Sequence, residues 1–462
     1  MSKRTLIQII LCLLTVNLSA LTRDTLSRPF PNLVKYDLNQ LYYSSESESF
    51  LRFLNKLESI TNGDTGRLSI VHIGGSHIQA DIYSDRLRHR FLSLSPGVSS
   101  SRGLVFPFRI ARTNQPTNYK FNGEKSRWKG YRSTLLKDSS IWGVTGITAE
   151  LMSDHDTLYF NPSLNDSIND TFLFDKVRVF YKGGASNPSL SLSSGTDKAI
   201  PEIYDSISYS QVFRFSRPVR DLVIYCQQEK VEDINSNLVV TDSISLIDSI
   251  ALTDSSTTEI DTIKSHIAGR GLLLMGVEII NSAGKITYNS IGVNGASFAS
   301  YKRCKLFYTQ LKKLTVDLAI ISIGTNDAYT NRFDTTSYRL RYEEMIQELL
   351  KINSNVTVVL TVPNDCYYKR KRPNKNTRLQ QAIIHGLGRK YRMPVWDLYA
   401  IMGGLGSSGR WYKNKLMSRD RVHFTRKGYD LIGDLLWESF FEAIEANKMK
   451  NSSGIDRKGE SR

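Results

Sequence analysis

The chain has 462 residues, of which 40% are hydrophobic and 12 are proline, a composition that marks a folded protein with a substantial core and excludes a disordered one. Its formal net charge of +16 favours acidic partners, anionic glycans among them. The cysteines, Cys12, Cys226, Cys304 and Cys366, are too few and too scattered for a disulfide framework or a zinc site. Buried free thiols are expected, with one disulfide and a leftover thiol as the alternative.

The amino terminus runs from Met1-Ser2-Lys3-Arg4 through the apolar Leu6–Val16 to Asn17-Leu18-Ser19-Ala20. Basic start, short apolar core and small-residue end are the parts of an export signal. The apolar stretch falls short of the roughly 20 residues a bilayer-spanning helix needs. Residues 1–20 are therefore read as a signal peptide cleaved near Ala20, with an uncleaved anchor as the alternative, and a periplasmic, cell-envelope location is expected, with no integral membrane segment after cleavage.

Phe50, Leu54 and Leu57 recur at helical spacing, and the apolar run Leu68–Ile73 then reads as a buried strand ending in Gly74-Gly75-Ser76-His77. Glycines after a strand mark a sharp turn that can hold a serine hydroxyl clear of the sheet. From about 145 to 288 the pattern changes to short apolar or alternating runs separated by turn residues: Lys176–Tyr181, Ser189–Leu192, Val212–Phe215, Asp221–Tyr225 and Gly271–Ile280. An all-β, sandwich-like insert is expected there, with residues 229–265, rich in Ser, Thr and Asp, as a mobile loop or hairpin extension.

Strand and helix patterns alternate again beyond it. The strand Leu318–Ile323 leads into Gly324-Thr325-Asn326-Asp327, and a helix follows with Tyr342, Met345, Ile346, Leu349 and Leu350 on one face. The strand Val356–Val362 precedes a helix with Leu379, Ala382, Ile383 and Leu387, and a last helix presents Tyr429, Ile432, Leu435, Leu436 and Phe440. This alternation predicts a parallel α/β sheet, whose sites lie beyond the carboxyl ends of its strands. The basic run Lys369-Arg370-Lys371-Arg372 follows one of those strands, which puts it on the sheet edge that also carries Asn326.

Three segments together suit acyl transfer. Ser76 is the candidate nucleophile, His423 the base that takes its proton, and Asp420, three residues earlier, the carboxylate that orients the imidazole. Asn326 brings an uncharged amide to a strand end, as an oxyanion site requires. His72 and His77 flank the serine without acidic or cysteine partners at ligand spacing, so no metal is expected.

On the blocks Gly74-Gly75-Ser76-His77, Val293-Asn294-Gly295-Ala296-Ser297, Gly324-Thr325-Asn326-Asp327 and Asp420-Arg421-Val422-His423, the chain resembles the SGNH (GDSL-type) hydrolases, and within them the bacterial peptidoglycan O-acetylesterase group. One position departs from the pattern: Gly75 stands where the family usually has the aspartate of Gly-Asp-Ser. The resemblance implies a three-layer α/β/α catalytic domain formed by residues 21–105 and 289–446. It is interrupted by the β-rich insert at 106–288 and followed by a disordered tail at 447–462. It also implies an oxyanion hole made by the N–H groups of Ser76 and Gly295 with the Asn326 amide, a bracing or substrate-binding role for His77, and no cofactor. The activity implied is hydrolysis of O-acetyl esters on a cell-envelope polysaccharide, peptidoglycan first, through an acyl-Ser76 intermediate. Nucleic acid is not an expected partner, and the oligomeric state is left open. Alternatives are an esterase or acetyltransferase acting on another glycan, and a decayed SGNH-fold protein that only binds glycan.

Overall fold

A computed structural model describes residues 28–94, 100–162, 173–183, 189–228 and 271–459. The expected signal peptide and the 229–265 segment lie outside these residues. Among the described residues no helix is long and apolar enough to cross a membrane.

A seven-stranded sheet organises the catalytic part. In spatial order its strands are Leu41–Tyr42, Val395–Asp397, Thr357–Val362, Leu318–Ser322, Leu68–Gly74, Ile286–Gly292 and Ser100–Ser101. All neighbours pair in parallel except the Leu41–Tyr42 edge. The strands Leu68–Gly74 and Thr357–Val362 are buried at every position, as parallel strands covered on both faces must be. Setting aside the two short edges, the chain order across the sheet is 2-1-3-4-5, and the order reverses between Leu68–Gly74 and Leu318–Ser322. Ser76 follows the first of these strands and Asn326 the second, so both stand at the switch point where such sheets bind ligands.

The two faces of the sheet bury different cores. Leu68, Ile70, Leu318, Ile320 and Trp396 pack with the helices Glu48–Thr61, Tyr83–Leu92 and Arg426–Gly459. Val71, Ile73, Ala319, Ile321 and Val358 face the helices Thr335–Ile352 and Asn376–Tyr391, and this second core continues without a break into the β-rich insert.

Among the described residues the insert holds two antiparallel sheets, one of five strands around Leu222–Gln227 and one around Leu273–Ile280. Rings from the two sheets meet, Phe160 and Phe174 at 6.4 Å between centroids. Its last strand ends at Ile280, and Ile286–Gly292 already belongs to the parallel sheet, so the insert closes slightly before the expected residue 288. At its start, Gly103–Val105 pairs with Leu273–Ile280 and is thus part of the insert.

Two expectations need correction. The tail from 447 is not disordered up to 459, because the last helix continues to Gly459. Asn447 and Asn451 donate to Asn55 Oδ1 at 2.8 and 3.2 Å, docking this stretch on the helix Glu48–Thr61. The helix Asn376–Tyr391 buries Thr377, Gln380, Ile384 and Leu387, while Leu379 is 46% exposed. Its inward face is partly polar because it meets backbone carbonyls. Gln380 Nε2 donates to the Gly324 carbonyl at 2.8 Å, and Asn376 Nδ2 to those of Ala328 and Thr330, both at 2.9 Å. Cys226, Cys304 and Cys366 are buried free thiols.

Candidate active site

The strand Leu68–Gly74 ends at a residue where no side chain fits. A Cβ on Gly74 would stand 2.3 Å from Ile78 Cγ1 and 2.9 Å from the Ser322 carbonyl. Gly75 turns the chain into the short helix Ser76–Gln79, which presents Ser76 at its first position.

The base arrives on the loop before the last helix. Asp420 shapes this loop by accepting the N–H groups of Val422 and His423 on Oδ1 at 2.9 and 3.0 Å. Its other oxygen stands 2.8 Å from His423 Nδ1. Burial pushes the Asp420 carboxyl up, but these hydrogen bonds outweigh it and hold the group below its ordinary range. Facing a carboxylate, Nδ1 carries the imidazole proton, which leaves Nε2 as the acceptor. Ser76 Oγ lies 2.9 Å from that Nε2. Ser76, His423 and Asp420 thus form one chain of close contacts, with the His423 side chain still 42% exposed.

The groups expected to form an oxyanion hole come from three strand ends. Val293-Asn294-Gly295-Ala296 is a turn closed by Ala296 N–H on the Val293 carbonyl at 2.9 Å, with Gly295 at φ +83°, the left-handed value that favours glycine at the third turn position. The N–H groups of Ser76 and Gly295 have no protein acceptor among the described residues. Asn326 is held by one amide hydrogen donated to the Ala296 carbonyl at 2.9 Å, which leaves the second free to point at substrate. Gly324, at φ +145°, makes the turn that delivers it, and a side chain there would collide with Pro363 and Tyr338.

Of the expected site residues, the structure brings together Ser76, Gly295, Asn326, Asp420 and His423. His77 is placed differently. Its ring packs against His423, Phe424 and Tyr429, Nδ1 lies 2.9 Å from Tyr429 Oη, and Nε2 is buried. Burial first, then the proximity of His423, pushes its pKa down to about 3, so it stays neutral. It braces the triad from behind and has no open polar atom for substrate, which corrects the substrate-binding half of its expected role. His72 is also internal, between Tyr288 Oη at 2.8 Å and Ser322 Oγ at 2.7 Å.

Gln79 had no sequence signal. Its Oε1 accepts the Asn294 N–H at 2.6 Å, and its Nε2 donates to Thr113 Oγ1 at 3.1 Å and to the Asn114 carbonyl at 2.7 Å. One side chain thus links the serine helix, the Gly295 turn and the insert. Asp81 is a second unexpected centre. It is buried between Arg88 and Arg102, at 3.1 and 2.9 Å, and Asn118 donates to it at 2.9 Å.

Residues 274–431 match the model of the GDSL-like lipase/acylhydrolase family. Among solved structures, a peptidoglycan O-acetylesterase aligns with a TM-score of 0.64 and 19% identity, covering 88% of this chain and 99% of its own. A lipase/acylhydrolase from Enterococcus faecalis aligns with a TM-score of 0.28 and 23% identity, over 33% of this chain and 75% of its own. An acetyl xylan esterase gives 0.27 and 20%, over 33% and 79%. No curated protein matches the chain in sequence. The chain has the SGNH-hydrolase fold, resembles the peptidoglycan O-acetylesterase group of SGNH/GDSL-type hydrolases, and carries the machinery of a carboxylic ester hydrolase.

Proposed function

We propose that the protein is an exported serine esterase that removes O-acetyl groups from a cell-envelope polysaccharide, peptidoglycan first. The observation that carries the reading is the continuous relay from Ser76 Oγ through His423 to Asp420, at 2.9 and 2.8 Å. The amino-terminal pattern supports export. Likeness over nearly the whole length to a peptidoglycan O-acetylesterase supports the choice of substrate.

Ser76 Oγ attacks the acetyl carbonyl carbon and gives its proton to His423 Nε2. The oxyanion that forms is held by the N–H groups of Ser76 and Gly295 and by Asn326 Nδ2. Collapse breaks the ester C–O bond, and His423 returns the proton to the departing sugar oxygen. A water, deprotonated by the same nitrogen, then attacks the acetyl carbon, releasing acetate and reprotonating Ser76.

The test is Ser76→Ala. Hydrolysis of 4-nitrophenyl acetate should fall about 10⁴-fold or more, with Tm nearly unchanged because the hydroxyl faces the open site. Fluorophosphonate should label the native protein and not the variant. Retained activity in the variant would sink the triad assignment, and an unlabelled native protein would favour a glycan-binding role. Acetate release from a panel of O-acetylated glycans then identifies the substrate.

A further inference from the structure

After the strand Thr357–Val362 the chain forms a small hairpin, Tyr367–Tyr368 paired with Arg372–Pro373. Two ties fasten it to the catalytic loop. Tyr367 N–H donates to the Arg421 carbonyl at 3.1 Å, next to Asp420, and Arg421 Nη2 donates back to the Arg370 carbonyl. The Arg421 guanidinium also lies over the Tyr367 ring, 4.0 Å from its centroid. A further tie reaches the Asn326 side. Lys369 N–H donates to Tyr329 Oη at 2.8 Å, and the Tyr329 and Tyr368 rings meet at 5.0 Å. The hairpin thus joins the segment carrying Asp420 and His423 to the one carrying Asn326.

What the tip adds is charge. Lys369 and Arg370 take φ values of 50° and 59°, and Lys371 N–H closes the turn on the Tyr368 carbonyl at 3.1 Å. Consecutive left-handed residues are the type I′ arrangement that Asn-Gly adopts easily and long side chains adopt at a cost. Lys369, Arg370, Lys371 and Arg372 are all exposed. Among the described residues none of these four, nor Arg421, forms an ion pair, whereas Arg86, Arg88, Arg90 and Arg102 are each paired with aspartate. Positive charge left uncompensated on a hairpin tied to the loop of Asp420 and His423 concentrates anions there.

We propose that this hairpin is a carboxylate-reading subsite, which holds the acidic groups of a polyanionic glycan while Ser76 acts on an ester of the same polymer. The sugar in this inference rests on the glycan-esterase reading above; the charge rests on the hairpin alone.

The double variant Lys369→Asn, Arg370→Gly tests it. The substitution installs the pair that a type I′ turn prefers and keeps every backbone tie, so Tm should hold or rise. Binding of polygalacturonate by calorimetry should weaken about tenfold, and binding by the native protein should weaken with added salt. kcat/KM on O-acetylated polygalacturonate should fall by a similar factor. Rates on 4-nitrophenyl acetate and on acetylated mannan, which is neutral, should stay the same. An equal loss on the neutral substrates overturns the proposal, as does failure of the native protein to bind polygalacturonate. Equally tight binding of duplex DNA or of anionic phospholipid vesicles overturns it as well. If the double variant unfolds, Lys371→Ser, outside the left-handed pair, reports the same loss. Because binding is read without turnover, an inert Ser76 would defeat the esterase reading and leave this one standing.

Discussion

Gly75 departs from Gly-Asp-Ser, and its neighbours show what the departure does. A Cβ at this position would lie 3.3 Å from Asn326 Nδ2 and 3.6 Å from the Ala296 carbonyl, the two groups whose hydrogen bond fixes the oxyanion amide. With φ at −99° there is no left-handed strain at this position, and the constraint that the neighbours impose is contact. Asn326 stands at the edge of the space that a side chain would take. Gly75→Ala should therefore displace Asn326 by a few tenths of an ångström and lower kcat about tenfold with KM nearly constant, short of the 10²–10³ that loss of a whole donor costs. Gly75→Asp should lose at least as much. Steady-state kinetics on a small acetyl ester checks both, and a rise in kcat for the aspartate variant would show that the turn still holds the room the family pattern uses.

Each oxyanion donor belongs to a different strand–turn element, so catalysis depends on how the turns are fastened to one another. Gln79 does this for the serine helix and the Gly295 turn, and its amide also reaches the insert at Thr113 and Asn114. Gln79→Ala leaves the Asn294 N–H without its acceptor and frees the turn. The expected result is a loss of about tenfold in kcat, since a donor misplaced by an ångström costs up to roughly 10². Gln79→Glu, which keeps the acceptor, should recover part of the loss. Equal rates in Gln79→Ala and the native protein would mean that Gly295 is positioned by its own turn alone. Gln79 was illegible in the sequence because a buried glutamine has no periodicity, and its partners, two backbone atoms and the Thr113 hydroxyl, lie more than thirty residues away. The same holds for the inward face of Asn376–Tyr391. Counting apolar residues pointed to Leu379, whereas the carbonyl of Gly324 demanded Gln380. What could be read were strands buried at every position and turns where glycine is sterically forced. Those two signals placed Ser76 and Asn326 at the ends of neighbouring strands. His77 was misread in part because a histidine beside a nucleophile looks the same in sequence whether it faces substrate or Tyr429.

At the scale of the molecule, the insert and the catalytic sheet share one core. Val71, Ile73 and Ile321 of the parallel sheet belong to the same apolar cluster as Phe160, Phe174 and Ile224 of the insert. Arg303, just past the helix Phe298–Lys302, clamps the insert by donating to the carbonyls of Ser133, Leu135 and Asp138 at 2.7, 2.9 and 2.6 Å. An insert docked only by a polar surface would unfold by itself, because such interfaces within a chain resemble transient contacts. A common core instead makes the loss of one part expose the apolar face of the other. The described residues should therefore unfold in a single cooperative transition, in which calorimetric and van't Hoff enthalpies agree. Ile224 gives the sharpest test. It is fully buried in the five-stranded sheet of the insert, whereas Ser76 lies in the catalytic part at the end of the parallel sheet. Ile224→Ala should cost about 2–5 kcal/mol through the cavity it leaves. That loss should lower the temperature at which esterase activity disappears by the same amount as it lowers Tm followed by circular dichroism. Native activity surviving above the melting of the variant's β signal, or two resolved heat-capacity peaks, would show that the two parts are separate folding units.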